Sequence, residues 1–268
     1  MNIIETIRKR RSVRTYTGEP LRDEHIAQIK QFIGQMKPPF NKKARVELIC
    51  MDTAGEPIKL GTYGWVKGAR DFLALIYEDA PFADTAAAYM FEEVLLFCTS
   101  LDLGTCWLGG SFSRSDFKKQ IILGPDEKLR IVSPVGYPSD RQHFIEKYIV
   151  RADKNHVSRK AFGELFFVGN FETPLTESAA EPFFTPLEMV RLAPSANNKQ
   201  EWRVLRQNKT LHFYKNPYPM FDTIDMGIAL CHFELTCKEL GIEGHFEELK
   251  DYPANDSLKY VISWIESL

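Results

Sequence analysis

No stretch of this chain reaches the roughly 18 consecutive apolar residues of a membrane span. The opening Met1-Asn2-Ile3-Ile4-Glu5 has no signal-peptide hydrophobic region. Neither sign of charge prevails. A net charge of -2 gives no general pull toward nucleic acid or an anionic membrane. Cysteine is sparse: Cys50, Cys98, Cys106, Cys231 and Cys237 make an odd set with no CxxC pair. That argues against a disulfide framework and fits a reducing cytoplasm. No HExxH is present and the six histidines are scattered, so a metal site is not expected. Also missing are a Walker A loop, GxGxxG, GxSxG and a paired-carboxylate motif. These absences give no reason to expect nucleic acid or a membrane as partner.

What is there is an ordinary globular composition, 44% hydrophobic and 26% charged over 268 residues. Residues 2 to 9 read as a short helix with Ile3, Ile4 and Ile7 on one face. After Pro20 a second helix carries Ile26, Ile29, Phe32 and Ile33. Arg45 to Met51 alternates as a strand, with Val46, Leu48 and Cys50 on one side. Phe72 to Tyr77 is continuously apolar, as a strand covered on both faces would be. A long helix is expected from an N-cap at Asp84 to Leu103, stopped by Gly104. Strands follow at Leu129 to Val135 and Lys259 to Glu266. Helices and strands mix without regular alternation, which places the chain in the α+β class.

The order also recurs. Helix, proline turn and strand occur around Ile26 to Leu48 and again around Leu187 to Leu205. A long helix ends near Gly104, and another, starting near Asp222, ends at Gly241. The expected halves are residues 1–165 and 166–268, intertwined. The first carries about 20 additional residues, taken to include the strand Phe72 to Tyr77.

Four segments carry candidate chemistry. Arg10, Ser12 and Arg14, with Arg11 beside them, place guanidinium forks and a hydroxyl at period-2 spacing just after a helix. Such a set suits a phosphate dianion, and equally it suits the dipole of a helix C-terminus. Ala193 to Trp202 is a polar turn ahead of a strand, in which Pro194, Ser195, Ala196 and Asn198 are candidate ligand contacts, or simply an Asx-rich loop. In Cys106-Trp107-Leu108-Gly109-Gly110-Ser111 the two glycines permit close approach of a backbone to a ligand, or merely a turn. Val157-Ser158-Arg159-Lys160 offers Arg159, with Lys160 as the alternate, for a phosphate, or a solvated pair of charges. Asp225 and His232 on the late helix read as capping and packing residues.

Taken together, Arg10-Arg11-Ser12-Val13-Arg14-Thr15-Tyr16 and Pro194-Ser195-Ala196-Asn197-Asn198-Lys199-Gln200-Glu201-Trp202 resemble two motifs of the nitroreductase family, Arg-x-Ser-x-Arg/Lys and Pro-Ser-x-x-Asn-x-Gln-Pro-Trp. Glu201 stands where the second has proline. Pro134-Val135-Gly136-Tyr137-Pro138 is similar to that family's Gly-Tyr-Pro corner. The resemblance implies flavin mononucleotide (FMN) as cofactor. It assigns Arg10, Arg11, Ser12 and Arg14 to the phosphate, ribityl chain and ring edge, with Arg159 and Lys160 completing the phosphate site. It assigns the Pro194–Asn198 turn to one face of the isoalloxazine, and the backbone of Gly109 and Gly110 to flavin N5. Gly61 to Trp65 replaces an Asn-bearing segment of relatives, leaving Tyr63 and Trp65 unassigned. The activity implied is ping-pong reduction of electron-poor acceptors, such as nitroaromatics or quinones, by NAD(P)H; the alternative is a flavin-storing or sensing protein without turnover. The lack of an evident acid, base or nucleophile agrees with chemistry done by a cofactor. In this family the two motifs normally come from different subunits. Here one chain carries both, while Thr176–Pro182 is acidic and Pro38–Lys43 lacks the serine. The expectation is one FMN per chain, with a monomer sufficient and at most a weak homodimer.

Overall fold

The computed structural model describes residues 1–50, 61–140, 158–217 and 222–267. The chain divides into two units, Met1 with Lys9–His156 and Asn2–Arg8 with Val157–Leu268. Most of the opening helix α1 (Ile3–Lys9) therefore groups with the second unit, although the strand-like segment after it belongs to the first.

In the first unit, α2 (Asp23–Gln35) precedes β1 (Ala44–Ile49), β2 (Asp71–Glu78), α3 (Ala83–Ser100), β3 (Gly104–Thr105), α4 (Arg114–Lys118) and β4 (Glu127–Gly136). The strands form an antiparallel sheet in the order β1-β2-β4-β3. β2 is buried from Asp71 to Tyr77, which is why its sequence is a continuous apolar run. α3 is buried without a break from Thr85 to Met90 and on to Glu92. A helix that is apolar on all sides has to be covered on all sides. β1, β2, β3 and α2 all pack against it.

The second unit contains α5 (Phe162–Leu165), β5 (Phe166–Val168), α6 (Glu177–Ala180), α7 (Phe184–Leu192), β6 (Trp202–Gln207), β7 (Thr210–Lys215), α8 (Asp222–Glu239), β8 (Gly244–Glu247) and β9 (Lys259–Glu266). Its sheet runs β5-β6-β7-β9-β8, with β5 parallel to β6 and the other pairs antiparallel. α8 is buried from Ile224 to Phe233 and packs on α7, β6 and β7. The Glu239 carboxylate at the end of α8 accepts the N–H groups of Ile3 and of Ile4 (3.3 Å), capping α1. In α1 the buried residues are Ile3, Thr6 and Ile7; Ile4 is only partly covered.

The two units share one plan. Strand, strand, long helix, strand, strand occurs in each, and β1-β2-β4-β3 has the same neighbour order as β6-β7-β9-β8. Both sheets shift register at a similar place, between Leu75 and Ile76 and between Phe213 and Tyr214. Both long helices have 18 residues and end in the same double hydrogen bond. Leu103 N–H donates to Cys98 and Asp102 N–H to Thr99; Ile242 N–H donates to Cys237 and Gly241 N–H to Lys238. Asp102 (φ 62°) and Gly241 (φ 70°) occupy the left-handed position. The expected helix stop at Gly104 is thus corrected to Asp102. Gly104 lies in β3 instead, where a Cβ would come within 2.8 Å of the Val13 side chain. Nor is Asp84 the N-cap: Phe82 holds that position, and Asp84 accepts the Tyr77 hydroxyl at 2.6 Å.

The sequence comparison also misplaced the additional residues of the first half. β2 is matched by β7 and is not extra. β6 and β7 are joined by Asn208 and Lys209 alone, with Asn208 left-handed at φ 55°, whereas β1 and β2 are joined by residues 50–70. In β1 it is Val46 and Ile49 that are buried, while Cys50 is exposed; Met51 lies outside the described residues.

The left-handed helix stop makes a direct test. Gly241→Ala should lower stability by about 1 kcal/mol, because a Cβ is disfavoured in that conformation. Asp102→Gly should raise stability by a similar or smaller amount. The ion pair it loses with Lys9 is exposed, and such pairs contribute about 0–1 kcal/mol. Urea midpoints of the two variants, measured beside the parent chain, give both signs.

Candidate functional site

In the first unit the segment Arg10–Tyr16 is extended and held on both sides. Val13 N–H donates to the Thr105 carbonyl at 2.8 Å. Tyr16 N–H donates to Lys67 O, and Lys67 N–H to Arg14 O, each at 2.9 Å. A Cβ on Gly68 would strike the Tyr16 carbonyl at 2.3 Å, and Gly68 has a φ of +75°, so the crossing admits only glycine. Val13 is buried against Gly104, and by the alternation of an extended backbone Ser12 and Arg14 take the other side. Among the described residues the side chains of Arg11, Ser12 and Arg14 have neither a hydrogen bond nor an ion pair. The neighbouring Thr105 hydroxyl is buried and without a partner.

Arg10 is different. Its side chain is 5% exposed and lies beside Glu92 of α3, which is fully buried. Arg10 Nε is 3.9 Å from Glu92 Oε1, too far for a hydrogen bond, and it has no other acceptor. Burial pulls the Arg10 pKa below its ordinary value and the charge of Glu92 opposes that fall. Glu92 Oε2 accepts the Trp107 indole N–H at 2.7 Å. Trp107 begins the turn that carries Gly109 and Gly110. A Cβ on Gly110 would meet no atom within 4 Å, so packing among the described residues does not call for glycine there. The Gly109 carbonyl accepts Arg114 Nη2 at 3.3 Å.

In the second unit Pro194–Asn198 forms a tight turn in which Asn197 (φ 52°) and Asn198 (φ 55°) are both left-handed. Asparagine tolerates this conformation better than most residues. Asp225 of α8, 5% exposed, receives the Ala196 N–H on both carboxylate oxygens at 3.0 Å. Ser195 Oγ accepts Gln200 N–H at 2.9 Å. Arg159 and Lys160 converge on the same turn. Arg159 donates through Nη1 to Asn198 Oδ1 and through Nη2 to Leu192 O (3.1 Å). Lys160 N–H donates to Gln200 Oε1 at 2.9 Å. Burial first, then Arg203, holds the Lys160 ammonium below its usual pKa. Both terminal nitrogens of Arg159 are thus directed at the turn and at the end of α7. His232 is fully buried, with Nδ1 2.9 Å from Met189 O, in keeping with a packing residue.

The matched turn of the first unit keeps the backbone and loses the polar anchors. Phe40 (φ 58°) and Asn41 (φ 54°) are left-handed, and Lys42 N–H donates to Pro39 as Lys199 N–H does to Ala196. At a constant offset along the chain, Pro39 stands for Ala196 and has no N–H to give. On the matched helices Ala86 stands for Asp225 and Cys231 for Glu92. Phe40 packs edge-on to Phe82 and Tyr89. Each polar arrangement therefore occurs once. Sequence reading passed over Glu92 and Trp107; the available signal was the pair Glu92-Glu93 set in the otherwise apolar run Ala86 to Leu96. Among the described residues no cluster of His, Cys, Asp and Glu is arranged to hold a metal, and no helix is long and apolar enough to cross a membrane.

The α+β fold agrees with comparison to known proteins. The family model described as "Putative TM nitroreductase" matches residues 2–237. The chain belongs to this nitroreductase family. It is similar in structure to a nitroreductase-like protein of Thermotoga maritima, with TM-score 0.63 and 21% identity over 99% of this chain and 94% of that one. A nitroreductase-like protein of Desulfovibrio desulfuricans, solved in complex with FMN, gives TM-score 0.42 and 23% identity over 56% of this chain and 96% of that one. A protein of Bacteroides thetaiotaomicron described as an NADH dehydrogenase/NAD(P)H nitroreductase gives TM-score 0.42 and 19% identity over 56% and 94%. No curated protein matches the sequence.

Asp225→Ala leaves the Ala196 N–H without its acceptor and should cost about 1–3 kcal/mol. Asp225→Asn, which keeps an oxygen in place, should cost less. Unfolding midpoints, together with hydrogen exchange at the Ala196 amide, check both the size and the location of the effect.

Proposed function

We propose that this chain is an FMN-dependent oxidoreductase that takes reducing equivalents from NAD(P)H and delivers them to an electron-poor small molecule such as a nitroaromatic or a quinone. The observation that carries the reading is the donor strand of a nitroreductase family member. The side chains of Ser12 and Arg14 have no protein partner among the described residues, and beside them Arg10 keeps a buried Nε without an acceptor. Fork-shaped cations and a hydroxyl on an extended segment suit a phosphate monoester. FMN, when bound, supplies the hydride chemistry, which is why no acid, base or nucleophile of the chain is needed for it.

The chain's own residues bind and orient. Arg10, Arg11, Ser12 and Arg14 would hold the phosphate, the ribityl chain and the ring edge. The Gly109 and Gly110 backbone would lie toward the ring, and the Pro194–Asn198 turn would contact the isoalloxazine of a flavin. Arg159 and Lys160 would act on the turn, Arg159 chiefly by fixing Asn198. The shared plan of the two units is read as an internal duplication in which each has kept a different polar arrangement. One FMN per chain follows, with a monomer sufficient, at most a weak homodimer, and a cytoplasmic setting.

Purified chain should carry a flavin spectrum whose heat-released chromophore is FMN at one equivalent per chain, bleached by NAD(P)H and restored by a quinone. Flavin that binds but is not reduced would leave a binding protein without turnover. Recovery of FAD, or no uptake of added FMN, would remove the cofactor reading. Arg14→Glu should weaken FMN binding by about 100-fold or more, since a donor becomes a like charge. Arg8→Glu, on the exposed side of α1, should change it little. Equal losses at the two positions would indicate general electrostatics in place of a site.

A further inference from the structure

We propose that Glu92 is a positioning residue for the cofactor donors: one buried carboxylate sets both the Arg10 guanidinium and the Trp107 indole, and so couples the donor strand to the Cys106–Gly110 turn. The inference rests on the FMN reading above but concerns a residue outside both motifs. Three observations support it. First, Glu92 is fully buried, and burying a carboxylate is unfavourable unless partners compensate for it. Second, it has partners of two kinds. Trp107 Nε1 donates to Oε2 at 2.7 Å, a hydrogen bond that a neutral amide oxygen could also accept. Arg10 Nε lies 3.9 Å from Oε1, a contact that is coulombic and needs the charge. Third, the arrangement is confined to the unit that has the donor strand. The matched position in α8 is Cys231, which cannot hold an arginine in this way.

The geometry gives Glu92 a particular task. Its charge keeps the Arg10 side chain folded onto α3, while Arg10 Nε remains without a hydrogen-bond acceptor. Without the carboxylate, a desolvated guanidinium has no counter-charge, and the favourable response is to swing toward water. The turn is held separately. Trp107 is packed edge-on against Phe91 at 5.0 Å between ring centroids, and Leu108 and Val132 exchange backbone hydrogen bonds at 2.9 and 3.1 Å. Loss of the charge therefore acts on Arg10 first and on the turn second.

A double-mutant cycle on the full chain tests this. FMN affinity is measured by flavin fluorescence for the parent chain, Glu92→Gln, Arg10→Gln and the double variant. Glu92→Gln should weaken binding about tenfold or more. The double variant should bind no more weakly than Arg10→Gln within about twofold, because Glu92 acts through Arg10. A residue that merely supports the fold would give losses that multiply. Glu92→Asp keeps the charge and shortens the reach; it should fold as the parent does and show an intermediate loss, so the inference stays testable if Glu92→Gln is unstable. Unchanged affinity in both Glu92 variants, or multiplying losses in the cycle, overturns the inference while leaving the FMN reading intact. A parent chain that takes up no FMN overturns both, since Glu92 would then have no cofactor donor to position.

Discussion

Each unit of this protein is organised by a long helix that cannot face water on any side. α3 is buried without a break from Thr85 to Glu92 and α8 from Ile224 to Phe233, and such stretches can be buried only by surrounding them. Four antiparallel strands in one order, with a preceding helix, do this in both units. The requirement reaches beyond packing. It sets where the strands begin, so it also sets where the tight left-handed turns before β1 and β6 stand relative to the long helices. Once those positions are set, one polar side chain on the helix is enough to give a turn or a strand a defined orientation.

That is where the two units part. In the second, Asp225 receives the Ala196 N–H and Arg159 ties Asn198 to the end of α7. In the first, the same backbone turn has a proline and Phe40 packed against two aromatic rings, and Ala86 stands on the helix where the second unit has Asp225. The first unit instead places Glu92 one helical turn and a half further along, beneath Arg10 and Trp107. A buried carboxylate is tolerated only with partners, so each arrangement excludes casual substitution. Two closely similar scaffolds thus carry different polar groups: a buried carboxylate beside an arginine in one, an amide-rich turn anchored by a carboxylate in the other.

The additional segment of the first unit shows a further use of the scaffold. Strands joined by the two-residue link Asn208-Lys209 in the second unit are joined by residues 50–70 in the first. Insertion into a hairpin leaves the paired strands undisturbed, because their register is set by burial and not by the loop. Part of this segment returns to the donor strand, where Lys67 bonds to both Arg14 and Tyr16. The exposed rings of Tyr63 and Trp65 stand on it.

Much of this was legible beforehand. A continuous apolar run marked β2, an alternating run marked β1, capping and stop signals marked the long helices to within a few residues, and the Arg10–Arg14 and Pro194–Trp202 motifs pointed to the family. Composition and local pattern suffice for these because they depend on neighbours in the chain. Local rules failed where two residues compete for one role. Gly104 looked like the helix stop, yet Asp102 takes the left-handed position, and Gly104 is glycine because Val13 lies on top of it. Asp84 looked like a cap and is the acceptor for Tyr77. The short strands β3, β5 and β8 carry too few residues for any period to show. The sequence by itself determined which side chains were available, where the chain must be buried, and that an arginine-rich extended segment and an amide-rich turn were both present. Only the tertiary structure decided which carboxylate stands under which donor. Glu92 meets Arg10 and Trp107, and Asp225 meets Ala196, because helices with no exposed face bring residues far apart in the chain into contact, and no pattern along the chain records that meeting.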